Sequence, residues 1–224
     1  MPRYFLHICL VGSLLTLLWF ALLGGSAAFA ADPPKTDAPP LLYANLPWGA
    51  SKAALMRLPE MSHAQTGEGE FSQDLLVAQT HFAALTWGMR LVFNQDKLTR
   101  VSLMAPYSPE RLRQSLAHLK TEHYEMLAVL VNDTRLDCVE ILKTQGPQAV
   151  REKLVPLLAQ KPQRVVYAWF QVGELSGEIK TMSSTLKNLL MSVPAHTKEV
   201  EVVLMAGEDG KPGLLLLEFS FPLL

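Results

Sequence analysis

Apolar and polar positions alternate most regularly between residues 85 and 105. Large apolar side chains occupy every second position of 85–93 and alternate with smaller or polar ones. Residues 98–105 repeat this period of two after the polar stretch 94–97. Because side chains on a β-strand alternate between its two faces, the pattern predicts a half-buried hairpin. Residues 75–83 are predicted to add a third strand.

Helical spacing follows this hairpin. The serine–proline pair at 108–109 is a typical helix start, with an N-cap before a proline in the first turn. Apolar positions then recur every three or four residues as far as Leu130, with His123 among them. This spacing predicts a helix with His123 on its half-buried face, then a second helix that ends near residue 144. Short strands within 122–145 are the alternative.

Further local signals complete the order of elements. Ser51 is predicted to cap a short helix, and the glycine–proline pair at 146–147 opens another. Residues 164–172 are rich in β-formers and predict a strand. The segments 199–206 and 213–221 flank a Gly-rich turn and predict a second hairpin.

The order of the elements predicts an α+β fold, with a mixed, mainly antiparallel sheet and helices packed on one side. Both parts of the chain run in the order helix, strand, hairpin. This order suggests two similar halves with a boundary near 106–108. No element is assigned to residues 173–193.

The first thirty residues have the pattern of an export signal. Arg3 precedes the apolar run 8–23, and Ala28-Phe29-Ala30 fits the small-x-small rule for signal peptidase. We therefore predict a cleavable signal peptide over 1–30 and a periplasmic or secreted protein. An uncleaved membrane anchor is the alternative, because the run approaches the ~20 apolar residues of a spanning helix.

The predicted mature chain has a Pro-rich polar linker at 31–40 and a globular region at 41–224. Later apolar runs are only strand-sized, so no membrane span is expected after cleavage. Of the 20 Lys and Arg residues and 21 Asp and Glu residues, cleavage removes only Arg3, which leaves a net charge of −2. This mild charge, without a basic cluster, argues against a nucleic-acid partner.

One cysteine, Cys138, remains after the predicted cleavage, so no internal disulfide is expected. We interpret it as a buried apolar thiol in a helix, since unpaired cysteines are commonly buried. An intermolecular bridge or a reactive nucleophile are the alternatives.

Two stretches resemble a pattern of small exported bacterial domains. Pro47-Trp48-Gly49-Ala50-Ser51 resembles a Trp-Gly-x-Ser turn into a helix, and residues 91–101 resemble a hairpin with a phenylalanine, a polar turn and a leucine. Over about residues 46–105 the chain is similar to the two-layer domains of the outer-membrane assembly lipoprotein family, although it lacks their lipobox cysteine. The resemblance implies a periplasmic α+β module that binds proteins, and it transfers no functional residue.

No motif predicts a catalytic, metal or cofactor site. His118, Glu122 and His123 form the tightest group of candidate ligands, but on a helix His123 points about 140° away from His118. We therefore interpret His118 and Glu122 as a solvated i,i+4 pair. In the sequence Gly-Glu-Leu-Ser-Gly at 173–177, Ser176 stands one residue too late for a hydrolase elbow.

The function we favour from the sequence is a non-enzymatic binding or accessory protein of the cell envelope, with another envelope protein as its partner. Trp48, beside a glycine turn at the start of the fold, is the predicted binding residue. One alternative is an exported hydrolase with Cys138 or Ser176 as its nucleophile. The other is a carrier of a small apolar ligand, and no cofactor is expected in any of these cases.

Overall fold

The computed structural model describes residues 38–172 and 184–223. They belong to one compact unit, Ala38–Leu224. The predicted signal peptide and residues 31–37 of the predicted linker lie outside the described residues. No helix in the described ranges has both the length and the apolar character needed to cross a membrane.

The described residues form strands and short to medium helices. The strands are β1 (Leu41–Tyr43), β2 (Leu46–Pro47), β3 (Gln65–Thr66), β4 (Leu75–Phe82), β5 (Leu85–Asn94), β6 (Lys97–Pro106), β7 (Tyr124–Val131), β8 (Thr134–Asp137), β9 (Arg164–Gln171), β10 (Glu199–Ala206) and β11 (Pro212–Ser220). The α-helices are α1 (Lys52–Leu55), α2 (Pro109–Thr121), α3 (Cys138–Gln145), α4 (Pro147–Ala159) and α5 (Leu186–Leu190). Single 3₁₀ turns lie at Pro59–Met61 and Gly69–Phe71.

Nine of these strands form one sheet in the order β3-β4-β5-β6-β11-β10-β9-β7-β8, and every pairing among them is antiparallel. The predicted α+β class with a large antiparallel sheet is confirmed. Two groups of three strands, β4–β6 and β9–β11, meet where β6 pairs with β11. This arrangement places β4, β9 and β11, which are distant in sequence, in one continuous sheet.

The two predicted hairpins are confirmed as β5–β6 and β10–β11. Gln95 and Asp96 connect the first hairpin and have φ angles of 50° and 59°. Positive φ at both central residues gives a turn whose twist matches that of the paired strands. The polar turn predicted at 94–97 is therefore present, and it joins β5 directly to β6.

A similar turn joins β4 to β5 through Ala83 and Ala84, whose φ angles are 52° and 60°. Left-handed backbone is costly for a residue with a Cβ, by about 1–2 kcal/mol. We therefore expect Ala84→Gly, at an exposed position, to raise the free energy of unfolding by about 1 kcal/mol in urea denaturation. Ala117→Gly, at an exposed position inside helix α2, is the matched control and should lower it by about 1 kcal/mol; equal effects of the two changes would contradict this interpretation.

The long helix predicted beyond residue 121 is wrong. Helix α2 ends at Thr121, and His123, with φ 63°, lies exposed in the turn before β7 rather than on a half-buried face. The residues of β7 are almost all apolar. A continuous apolar run fits helical spacing and strand alternation equally well, so the spacing alone does not identify a helix. The alternative of short strands is confirmed for β7 and β8, and the second predicted helix begins only at Cys138.

The main hydrophobic core lies on one face of the sheet. Trp169 of β9 and Leu119 of α2 belong to it, and half-buried side chains of α4 pack against it. The neighbouring Phe170 points to the other face, where it joins a second cluster with Leu189 of α5. Helices α2 and α4 thus cover the main core on one side, and α5 adds a smaller layer opposite.

Candidate functional site

A cavity of about 440 Å³ lies beside the C-terminal end of α2. Segments far apart in the sequence build its walls, and the sheet order brings them together. Its apolar lining consists of Leu42, Ala44, Phe82, Ala83, Leu119 and Phe219. Its polar lining consists of Tyr43, His81, His118, Glu122, Tyr124, Gln171 and Lys198. The volume lies within the range of small-molecule sites, and the lining combines apolar and polar side chains.

Aromatic side chains form the floor of the cavity, with Phe82 at the centre. The Phe82 ring lies 5.7 Å from the Phe219 ring and meets the His118 ring edge-on at 4.7 Å between centroids. Tyr43 stacks obliquely on Phe219 at 4.9 Å, and its hydroxyl donates a hydrogen bond of 3.0 Å to the carbonyl of His81. Strand β1 is thereby fastened over the end of β4.

Trp87 supports this floor from below. Its indole Nε1 donates a buried hydrogen bond of 3.2 Å to the carbonyl of Phe82. The guanidinium of Arg111 lies 5.0 Å from the centre of the Trp87 ring and donates to the carbonyl of Thr86 at 2.7 Å. These contacts connect β5 and α2 to Phe82 at the end of β4.

Gln171 joins the two charged residues of the rim. Its side-chain amide donates to the carbonyl of Glu122 at 3.3 Å, and its backbone N–H donates to the carbonyl of Lys198 at 2.9 Å. Glu122 is exposed, whereas Lys198 is half-buried. Burial lowers the pKa of Lys198, and the negative charge of Glu122 opposes this shift.

The phenols of the lining are held neutral. Burial, and then the charge of Glu122, raise the pKa of Tyr124 far above its usual range. Burial also raises the pKa of Tyr43. Both hydroxyl groups are therefore hydrogen-bonding groups of the cavity wall rather than anions at neutral pH.

A buried donor without a partner lies in the same part of the sheet. Trp169 Nε1 is buried and makes no hydrogen bond within the described structure. Trp169 pairs with Val200, and Val200 pairs with Phe219 of the cavity floor. Buried donors nearly always have a hydrogen-bond partner. Because Trp169 of β9 lies two strands from Phe219 of β11, the NMR signal of its indole N–H can report on changes near the cavity.

The predicted binding residue Trp48 does not line the cavity. It is half-buried and packs against the main core, and its backbone N–H donates to the carbonyl of Pro40 at 2.9 Å. The next residue, Gly49, donates to the carbonyl of Leu98 at 2.8 Å, so the Trp-Gly-x-Ser turn lies directly on the hairpin. A binding role for Trp48 stays a prediction.

Of the candidate metal ligands His118, Glu122 and His123, only the first two lie at the cavity. His118 and Glu122 both line the cavity, but the imidazole of His118 packs against Phe82. His123 lies outside the lining. Over the described ranges, no three His, Cys, Asp or Glu side chains are arranged to hold a metal ion.

Cys138 is 1 % exposed, as predicted for a buried thiol. Burial, and then the charge of Asp137, raise its pKa to about 11, so the thiol is protonated at neutral pH. Both properties disfavour a nucleophilic role for this residue. Ser176, the other candidate nucleophile, lies outside the described residues.

A second group of charged residues lies on the opposite face of the central strands. Glu218 accepts a hydrogen bond of 3.0 Å from Ser102 and lies 3.4 Å from Arg100. Glu201 is directly opposite Glu218 in the sheet, and Glu199 follows on the same face. Burial, followed by the charge of Glu201, raises the pKa of Glu199 to about 7, although Arg100 acts against this shift.

Comparisons with family models, curated proteins and solved structures gave no match for this chain. The resemblance of residues 46–105 to the outer-membrane assembly lipoprotein domains therefore stays a prediction. Any assignment of function has to start from the cavity and its rim.

Proposed function

We propose that this chain is an exported, non-enzymatic binding protein whose ligand occupies the cavity beside α2. The observation that carries the proposal is the combination of an aromatic floor with polar groups on the rim of one cavity of about 440 Å³. Such a cavity supplies apolar contact area through its floor and orientation through its rim. This proposal joins the predicted binding protein to the predicted carrier of a small ligand.

Export is the other half of the proposal and rests on residues 1–30. A mature chain that begins at Ala31 is expected when the full sequence is expressed in a Gram-negative host with an intact signal peptidase. The intact mass of the protein from the periplasmic fraction measures this directly. A mass that retains residues 1–30 would favour the membrane-anchor alternative.

Gln171→Trp is the variant that tests the binding site, because Gln171 lines the cavity and an indole at this position would occupy part of its volume. We expect a ligand to accompany the wild-type protein purified from its own envelope and to be lost in Gln171→Trp. Native mass spectrometry of the gently purified proteins measures the added mass. Gln163→Trp, at the exposed position immediately before β9, is the matched control and should retain the ligand.

Three results would contradict the proposal. A wild-type protein that carries no added mass and binds no small molecule would remove the cavity as a site. A ligand retained in Gln171→Trp would place the site elsewhere. Turnover of a substrate by the pure protein would favour the hydrolase alternative.

A further inference from the structure

We infer that the cavity takes a small amphipathic anion, a monocarboxylate with an apolar body, whose charged group lies at Lys198 and whose body lies on the aromatic floor. This inference rests on the proposed function and names the chemical class of the ligand. It depends on which charge of the rim has no partner among the described residues.

Lys198 is the cationic residue of the described lining, and its ammonium group has no ion pair or hydrogen bond within the described structure. Its backbone is fixed, since its carbonyl accepts the hydrogen bond from Gln171. A half-buried ammonium loses hydration, and the charge of the exposed Glu122 compensates that loss only in part. A carboxylate in the cavity would provide a charge-assisted hydrogen bond.

The carboxylate of Glu122 offsets this charge only in part. Its negative charge acts on Lys198, but Glu122 is exposed and lies at the C-cap of α2, where water hydrates its carboxylate and weakens its field. The partly desolvated charge of the rim is therefore positive. His81 and His118 also line the cavity, and an imidazole carries an N–H donor that can serve an anionic group.

The floor determines the other half of the ligand. The ring centroids of Phe82, Phe219 and Tyr43 lie within 4.9–6.4 Å of one another. Phe82 and Phe219 are buried, and the half-buried ring of Tyr43 offers the apolar area that a phenyl ring or a short alkyl chain can cover. The volume of about 440 Å³ suits a molecule of this size.

Three molecules with the same body test the inference: 4-phenylbutanoate, 4-phenylbutan-1-ol and 4-phenylbutan-1-amine. We expect isothermal titration of the exported protein to rank the carboxylate at least tenfold tighter than the amine, with the alcohol between them. Lys198→Gln should weaken carboxylate binding about tenfold and leave alcohol binding unchanged. Lys198→Arg should retain most of the affinity, and Lys187→Gln, at an exposed site on α5, is the matched control.

The outcomes separate this inference from the proposed function. Equal binding of the three molecules, insensitive to Lys198→Gln, would overturn the inference and leave the cavity as a binding site. Tighter binding of the amine would also overturn it and assign the charge recognition to Glu122. Failure of all three molecules to bind at millimolar concentration would count against both the inference and the proposed function.

Discussion

Replacing Trp87 with alanine is expected to lower the free energy of unfolding by about 3–5 kcal/mol. The side chain is 1 % exposed, belongs to the main core and meets Phe82 edge-on at 6.3 Å. Its removal leaves a large cavity and deprives the carbonyl of Phe82 of its hydrogen-bond donor. The cost is a large fraction of the 5–15 kcal/mol that is typical of a whole domain. Urea denaturation followed by far-UV circular dichroism measures it.

Trp48→Ala provides the comparison, because the same side chain is removed from a half-buried position. We expect a smaller loss, on the order of 1–2 kcal/mol, since less apolar area is buried there. A loss at Trp48 equal to that at Trp87 would contradict the packing described for the floor of the cavity. If Trp48→Ala instead left stability unchanged and abolished capture of a partner, the original prediction for Trp48 would be supported.

Glu199→Gln is expected to stabilise the protein at pH 8 and to have little effect at pH 4.5. The folded-state pKa of Glu199 is raised to about 7 from an ordinary value of 4.5. Its unfolded form therefore ionises first, and stability falls as the pH rises from 4.5 through 7. A shift of this size corresponds to at most about 3 kcal/mol. The variant removes this loss because glutamine stays neutral.

The measurement is the free energy of unfolding at intervals between pH 4.5 and 8. Wild-type stability minus that of Glu199→Gln should fall by up to about 3 kcal/mol across this interval and level off above pH 7. Glu208→Gln, in the exposed β10–β11 turn, is the matched control and should give a flat difference. A flat difference for Glu199→Gln would mean that its carboxyl ionises as readily in the folded protein as in the unfolded one.

The hairpins could be predicted from sequence because their signal is local. Residues 85–105 alternate on a period of two around a polar turn, and the structure pairs Asn94 with Lys97 as that pattern requires. The end of α2 could not be predicted in the same way. The run at 124–131 is apolar at almost every position, so it fits helical spacing and strand alternation alike. Its neighbours in the sheet decide between the two.

The cavity had no sequence signal, because its lining comes from residues that only the strand order brings together. Phe82 and Phe219 are 137 positions apart, yet their ring centroids lie 5.7 Å apart, although β5 and β6 lie between their strands in the sheet. The sequence predicted Glu122 only as one member of a helical i,i+4 pair with His118. Its position beside Lys198 depends on the contacts of Gln171 with both residues.

Mapping of 4-phenylbutanoate on the ¹⁵N-labelled protein by NMR tests the central claim most directly. We expect the largest amide shifts at Ala83, Gln171 and Lys198, and we expect the indole N–H of Trp169 to shift with them. The backbone of Trp48 should be unaffected. Shifts centred on Trp48 or on the acidic face around Glu199, with none at Gln171 and Lys198, would contradict the assignment of the cavity as the binding site.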